Sequence, residues 1–190
     1  MANIAIIIGS PNGGSRLYGL TEFAGERLAE AGFTLEWIAA TDLPAEDLLQ
    51  ADFGSPAIKR IIASVEEADA VIIASPVFKA AYSGALKTIL DVIPQKGLQG
   101  KVVLPLFIGG TIAHFLAVDY ALKPVVAALG GTHILGGVFA VDEWVTRREG
   151  GGFELTELLQ ERLDVAINEL IAVLTQDTRI GRGDREERTI

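Results

Sequence analysis

Residues 3–16 read NIAIIIGSPNGGSR. Six mostly β-branched, apolar residues with no polar alternation predict a strand covered on both faces, Asn3 to Ile8. The chain then breaks into three glycines and a proline before a helical stripe begins, with Leu17, Leu20, Ala24, Leu28 and Ala31 on one face. A strand that hands over to a helix through bare backbone is the first half of a βαβ unit. The loop leaves amides unobstructed by side chains and ends on a helix N-terminus, where free N–H groups and a partial positive charge favour an anion. Ser10, Ser15 and Arg16 add hydroxyls and a guanidinium suited to phosphate oxygens. A plain glycine-rich turn is the alternative at this point.

The same alternation continues downstream. Residues 69–75 (DAVIIAS) and 101–108 (KVVLPLFI) are dense in Val, Ile and Leu, residues 33–38 (FTLEWI) suit a strand nearer an edge, and 132–141 (THILGGVFAV) make a fifth. Between them, Ser55-Pro56 reads as an N-cap followed by proline at the first helical position, ahead of Ile58, Ile61, Ile62 and Val65. Ser83 caps a segment carrying Leu86, Ile89, Leu90 and Ile93, which Pro94 stops. Thr111 opens a long helix that Gly130-Gly131 closes, and a last helix runs through Leu155, Leu159, Leu163, Ile167, Leu170 and Leu174. Repetition of this kind predicts an α/β fold: a flavodoxin-like three-layer sandwich with a five-stranded parallel sheet in the order 2-1-3-4-5. Residues 1–175 form one domain, and 176–190 read as a charged, flexible tail with no packing face.

Composition bounds what such a domain does. The chain of 190 residues is 49% hydrophobic and carries a formal charge of −9, which argues against a nucleic-acid binder. It has no cysteine, so disulfides and thiol redox chemistry are excluded, in keeping with a cytoplasmic protein. Met1-Ala2-Asn3 has no basic segment of a secretory signal. The longest apolar segment, 111–129, contains His114, Asp119, Lys123 and Pro124, and reads as a buried helix and not a membrane span. Two separated histidines make no metal constellation.

In an open parallel sheet the ligand crevice lies beyond the carboxyl ends of the strands, where the strand order reverses. Three loops meet there: Gly9–Arg16, Ser75–Ser83 and Gly109–His114. The first lacks the Gly-x-Gly-x-x-Gly dinucleotide fingerprint, its glycines falling at 9, 13 and 14, and it lacks the Lys-Ser/Thr ending of a triphosphate P-loop. A mononucleotide fits it better. The second loop offers Pro76, Val77 and Phe78 as an apolar wall for a flat heterocycle, unless it packs under its own helix. The third puts Gly109, Gly110 and Thr111 before a helix start, as a ring-carbonyl site or as a tight turn with a threonine cap.

Four segments carry a resemblance: SPVFKAAYSGALKTILDVIP (75–94), LQGKVVLPL (98–106), GGTIAHFLAVDYALKPVV (109–126) and LGGVFA (135–140). Together they resemble the NADPH-dependent FMN reductase family, and within it the SsuE-type flavin reductases of two-component alkanesulfonate monooxygenase systems. The likeness runs from residue 4 to about 141, with weaker helical agreement to about 175. It implies that FMN and NADPH are the cofactors. It also implies that Ser10, Asn12, Ser15, Arg16 and Leu17 surround the phosphate, that Pro76, Val77, Phe78 and Lys79 line the flavin, and that Gly109, Gly110 and Thr111 lie near its polar edge. Asn12 stands where the family has an arginine, and Phe78 where it has a tyrosine. One charge contact and one hydroxyl are thereby lost, as suits an enzyme that releases its flavin.

The implied activity is hydride transfer from NADPH to FMN, with reduced FMN passed to a partner monooxygenase in sulfonate sulfur assimilation. Hydride transfer needs no protein nucleophile, so no catalytic acid is named. A quinone or azo-compound reductase would use the same fold and flavin, and a flavodoxin-type electron carrier would hold FMN permanently. His114 is either a helix-start histidine satisfied locally or a contact to the nicotinamide nucleotide. Arg147 and Arg148 are either a solvated pair or a site for the 2′-phosphate of NADPH. The long helix is apolar all round (Ile112, Phe115, Leu116, Val118, Tyr120, Leu122), which predicts burial against a second copy in a dimer or tetramer. Pro124 predicts an irregular turn near Tyr120, and the resemblance implies a π-bulge there at a subunit interface near the flavin.

Overall fold

The computed structural model describes residues 2–186, with side chains described to residue 176. Nine strands and six α-helices follow in chain order: β1 Asn3–Ile8, α1 Leu17–Glu30, β2 Thr34–Ala39, α2 Ala45–Gln50, α3 Pro56–Glu67, β3 Ala70–Phe78, β4 Ala81–Tyr82, α4 Gly84–Val92, β5 Val102–Gly109, α5 Lys123–Ala128, β6 His133–Ile134, β7 Val138–Val141, β8 Val145–Arg147, β9 Phe153–Leu155 and α6 Glu157–Glu186. The order across the main sheet is β2-β1-β3-β5 and then β6 and β7, all parallel. This is the flavodoxin-like order expected, with β6 and β7 together in fifth place.

The unbroken apolar runs have a direct cause. Each strand feeds two cores. Ile4, Ile6, Ile8, Ile72, Leu104 and Leu106 face α1 and α6, while Ala5, Ile7, Val71, Ile73, Val103 and Phe107 face α3, α4 and α5. With helices on both faces there is no solvent side, so polar alternation disappears. Each fully buried aliphatic side chain contributes about 1.5–3 kcal/mol. At the sheet edge β2 pairs with β1 alone, and its Trp37 is exposed.

Four features differ from the expected pattern. The fifth strand is interrupted: Leu104 and Pro105 of β5 face Leu135, Gly136 and Gly137, one residue too many, which makes a bulge. Pro105 has no N–H to give its neighbour, and Gly137, at φ +73°, lies so close to the Pro105 carbonyl that a Cβ would stand 2.6 Å from its oxygen. Second, β4 turns back antiparallel on β3 and adds a short strand at 81–82. Third, Leu155 belongs not to the last helix but to an antiparallel hairpin, β8–β9. Fourth, Ala31 is exposed and caps α1, so that helix's stripe ends at Leu28.

The segment 111–128 is also not one helix. It runs as a 3₁₀ turn (Ile112–His114), a π-helical turn (Val118–Leu122) and α5. Pro124 cannot donate the backbone bond a regular helix would need there, and the widened turn holding Tyr120 takes up the mismatch. Its apolar residues are not buried all round: Ile112, Phe115, Leu116 and Tyr120 are exposed in the single chain, whereas Ala117, Val118, Leu122 and Val126 are buried. The segment 176–190, expected as a tail, lies outside the described residues from 177 onward for its side chains and from 187 for its backbone. Among the described residues, no helix is long and apolar enough to cross a membrane.

Gly9 closes the most constrained approach in the fold. A Cβ there would stand 2.3 Å from Leu86 Cβ and 2.8 Å from its Cα, whereas one on Gly13 meets nothing within 4 Å. Gly9→Ala is therefore expected to destabilise the protein by about 2–3 kcal/mol, and Gly13→Ala by less than about 0.5 kcal/mol. Urea denaturation midpoints compare the two.

Candidate functional site

The strand ends are tied together by buried serines. Gly9 N donates to Ala74 O at 2.8 Å, extending β1 alongside β3. The Ser83 hydroxyl donates to the Gly9 carbonyl and accepts from Leu86 N at 3.0 Å, so it caps α4 as expected while holding the first loop. Ser83 N donates to Ser75 Oγ at 2.9 Å, and that hydroxyl in turn donates to Pro76 O at 2.8 Å. Both serines are buried. Among the described residues no buried side-chain nitrogen or oxygen is left without a partner, as a satisfied polar network requires.

From this anchor the loop 10–16 folds on its own side chains. Ser10 Oγ donates to Asn12 O at 2.9 Å, Asn12 Oδ1 accepts from Gly14 N at 2.8 Å, and Ser15 Oγ accepts from Leu17 N at 3.2 Å. Asn12 is thus a turn former. Two arginines then bind the loop to β8. Arg16 Nε donates to Val145 O at 2.8 Å, and Arg147 donates through Nε and Nη2 to Gly14 O at 2.8 and 2.6 Å. The Gly13 amide donates to no acceptor among the described residues.

The second loop is a hairpin. Val77 pairs with Tyr82 and Phe78 with Ala81. The two residues between them, Lys79 (φ 52°) and Ala80 (φ 64°), both lie in the left-handed region, as a type I′ turn demands. Such turns prefer Asn-Gly, so Lys-Ala gave no hairpin signal. The turn stores strain beside the site and leaves Phe78 half exposed.

These pieces enclose a cleft of about 240 Å³ beyond the strand ends. Ser10, Asn12, Ser15 and Arg16 line one part of it, and Pro76, Val77, Phe78, Gly109 and Gly110 the other. Pro11, Ile108, Asp142 and Arg147 line it as well. Asp142 follows β7, and only its place after the last strand of the sheet could have pointed to it. Five expected residues lie outside the cleft's lining. The Leu17 side chain is fully buried in the core, Lys79 sits at the exposed hairpin tip, and Thr111 Oγ1 caps the 3₁₀ turn by accepting from Ala113 N. His114 is half-buried in that turn, and Tyr120 is exposed in the π-helical turn. A larger groove of about 500 Å³ runs between the start of β7 and α6, past Val138, Arg162 and Val165. It shares no lining residue with the cleft beyond the strand ends.

The donor set of the cleft fits a flavin mononucleotide. Arg16 and Arg147 are held by carbonyl oxygens, and among the described residues neither pairs with a carboxylate. Their charge is free to meet a phosphate. Val77 and Phe78 offer an apolar wall, and Gly109 and Gly110 offer backbone with no side chain in the way.

Comparison with known proteins agrees with this geometry. Residues 2–146 match the family model described as NADPH-dependent FMN reductase. The chain is 49% identical over 164 residues to an FMN reductase (NADPH) of Escherichia coli K12, covering 86% of this chain and 85% of that one. It is 42% identical over 189 residues to an FMN reductase (NADPH) of Pseudomonas putida KT2440, covering 98% and 96%. Among solved structures, apo NADH:FMN oxidoreductase EMOB superposes with a TM-score of 0.80 at 34% identity, covering 89% of this chain and 88% of that one. The glycine loop, the apolar wall beside it and the match over residues 2–146 lead to one conclusion: the chain belongs to the NADPH-dependent FMN reductase family, oxidoreductases that use FMN and NADPH.

Proposed function

We propose that the protein is an SsuE-type enzyme that transfers hydride from NADPH to FMN and releases reduced FMN to a partner monooxygenase, in sulfonate sulfur assimilation. The observation that carries this reading is the convergence of three strand-end loops on one cleft, with cations at one part and an apolar wall at the other. When bound, FMN supplies the two-electron acceptor; the chain supplies binding, alignment and exclusion of water. Ser15, Arg16 and the loop amides hold the phosphate. Val77 and Phe78 support the ring on one side, and Gly109 and Gly110 present backbone groups to its polar edge. Half of Phe78 stays exposed at the cleft, which favours a flavin that enters and leaves.

Self-association explains the exposed apolar surface. Ile112, Phe115, Leu116 and Tyr120 form a patch on the irregular segment, and the π-helical turn packs against β4, the return strand of the flavin wall. An apolar patch continuous with the site wall suits a second copy of the chain, so the active form is a dimer or tetramer whose subunits meet beside the flavin, with Tyr120 and His114 near the nicotinamide nucleotide.

Steady-state NADPH oxidation tests the activity. The rate rises and saturates with added FMN, as for a substrate, and quinones or azo dyes support turnover at least about tenfold less efficiently. Activity only with an organic acceptor overturns the reading, as does a tightly retained flavin with a long-lived semiquinone. Sedimentation velocity tests the assembly: the wild type runs as a dimer or tetramer, and Leu116→Asp shifts it toward monomer. A wild type that is monomeric at micromolar concentration rules this interface out.

A further inference from the structure

The β8–β9 hairpin lies largely outside the expected fold, yet it reaches the heart of the site. Its packing is close: a Cβ on Gly19 of α1 would stand 2.9 Å from Phe153 Cβ and 3.0 Å from Val145 Cγ1. Arg147, on β8, gives both Nε and Nη2 to the single carbonyl oxygen of Gly14, 133 residues away. In return Arg16, from the loop, gives Nε to Val145 O on β8. The two guanidiniums thus cross between loop and hairpin as a reciprocal clasp.

The clasp does two things. It turns the Gly14 carbonyl, a negative dipole end, onto Arg147 and away from an incoming anion. It also parks two full positive charges at the cleft on neutral acceptors, in a chain whose formal charge is −9. A structural arginine in so acidic a protein has many carboxylates to choose from, and Arg27 takes two of them. Arg147 takes none among the described residues, and its Nη1 nitrogen has no protein partner there. One edge of the fork is committed to the loop. The other remains for a ligand, in the bidentate geometry guanidinium offers to phosphate.

We infer that Arg147 is a second phosphate-binding cation of the flavin site, and that through it the β8–β9 hairpin selects flavins bearing a 5′-phosphate over those without one. The inference rests on the proposed FMN site and deepens it. It sets aside the 2′-phosphate of NADPH as the partner of Arg147, because that side chain is fastened to the loop that begins α1. Residue 147 also lies just beyond the span 2–146 that matches the family, so the feature is read from this chain's own geometry.

Equilibrium binding of FMN and riboflavin, followed by quenching of flavin fluorescence, tests this without turnover. Wild type binds FMN more tightly than riboflavin. Arg147→Gln weakens FMN on the order of tenfold to hundredfold, while riboflavin affinity changes by less than about threefold, so the preference collapses. Arg147→Lys, which keeps the charge and loses the fork, lies between the two. A thermal melt shows that each variant is folded. Equal losses for FMN and riboflavin would mean that the arginine only shapes the loop, and would overturn the inference; so would unchanged FMN affinity, or a wild type indifferent to the phosphate. A wild type that prefers FMN but does not oxidise NADPH overturns the proposed activity and leaves this inference standing.

Discussion

The structure of the site depends on one hydrogen bond, from the buried Ser83 hydroxyl to the Gly9 carbonyl. Loops at the ends of parallel strands have no ladder to hold them, and left to themselves they would sample many conformations. Here the hydroxyl that caps α4 also holds the exit of β1, while the backbone of the same residue holds Ser75 within β3. Two loops and a helix start become one rigid unit. The contact is possible only because residue 9 has no side chain, since Leu86 occupies the space a Cβ would need. Burial makes the arrangement all-or-none: every member must be satisfied or the network costs more than it contributes.

On this rigid base the loop 10–16 is built from weaker, more exposed bonds. Asn12 and Ser15 close turns locally, and the two arginines draw the loop against a hairpin from the far end of the chain. Neutral acceptors position the guanidiniums without cancelling them. A carboxylate would hold either arginine more firmly and would leave no charge for a ligand. Rigidity falls in order from the buried serines at the strand ends to the arginines at the surface of the cleft.

The segment 111–128 shows a second compromise. Pro124 withholds a backbone donor inside a helix, and the chain answers with a π-helical turn that pushes Tyr120 outward. One side of the segment still closes the core through Val118, Leu122 and Val126; the other leaves a patch of large apolar side chains in water. The irregular turn lies against β4, so the place where the backbone departs from regularity is also the place where the apolar wall of the cleft meets that patch.

Local patterning was enough to read the layered α/β fold, the five strand positions, the Ser55 and Ser83 caps, and the loops that meet beyond the strand ends, because a helix buried on one face shows a period and a strand buried on two shows an unbroken apolar run. It was also enough to find Ser15, Arg16, Val77, Phe78 and Gly109, which sit where strands give way to loops. It could not show the split at Pro105, where a missing donor and a close glycine act across two strands, nor the Lys79-Ala80 hairpin, whose residues carry no turn signal. The uniform apolar character of 111–128 suggested burial all round, since composition does not say which side another molecule would cover. Tertiary structure alone placed Asp142 and Arg147 in the cleft and Leu17 out of it. Arg147 meets Gly14 from 133 residues away, and no local periodicity encodes a contact made only when a distant hairpin packs on the first helix.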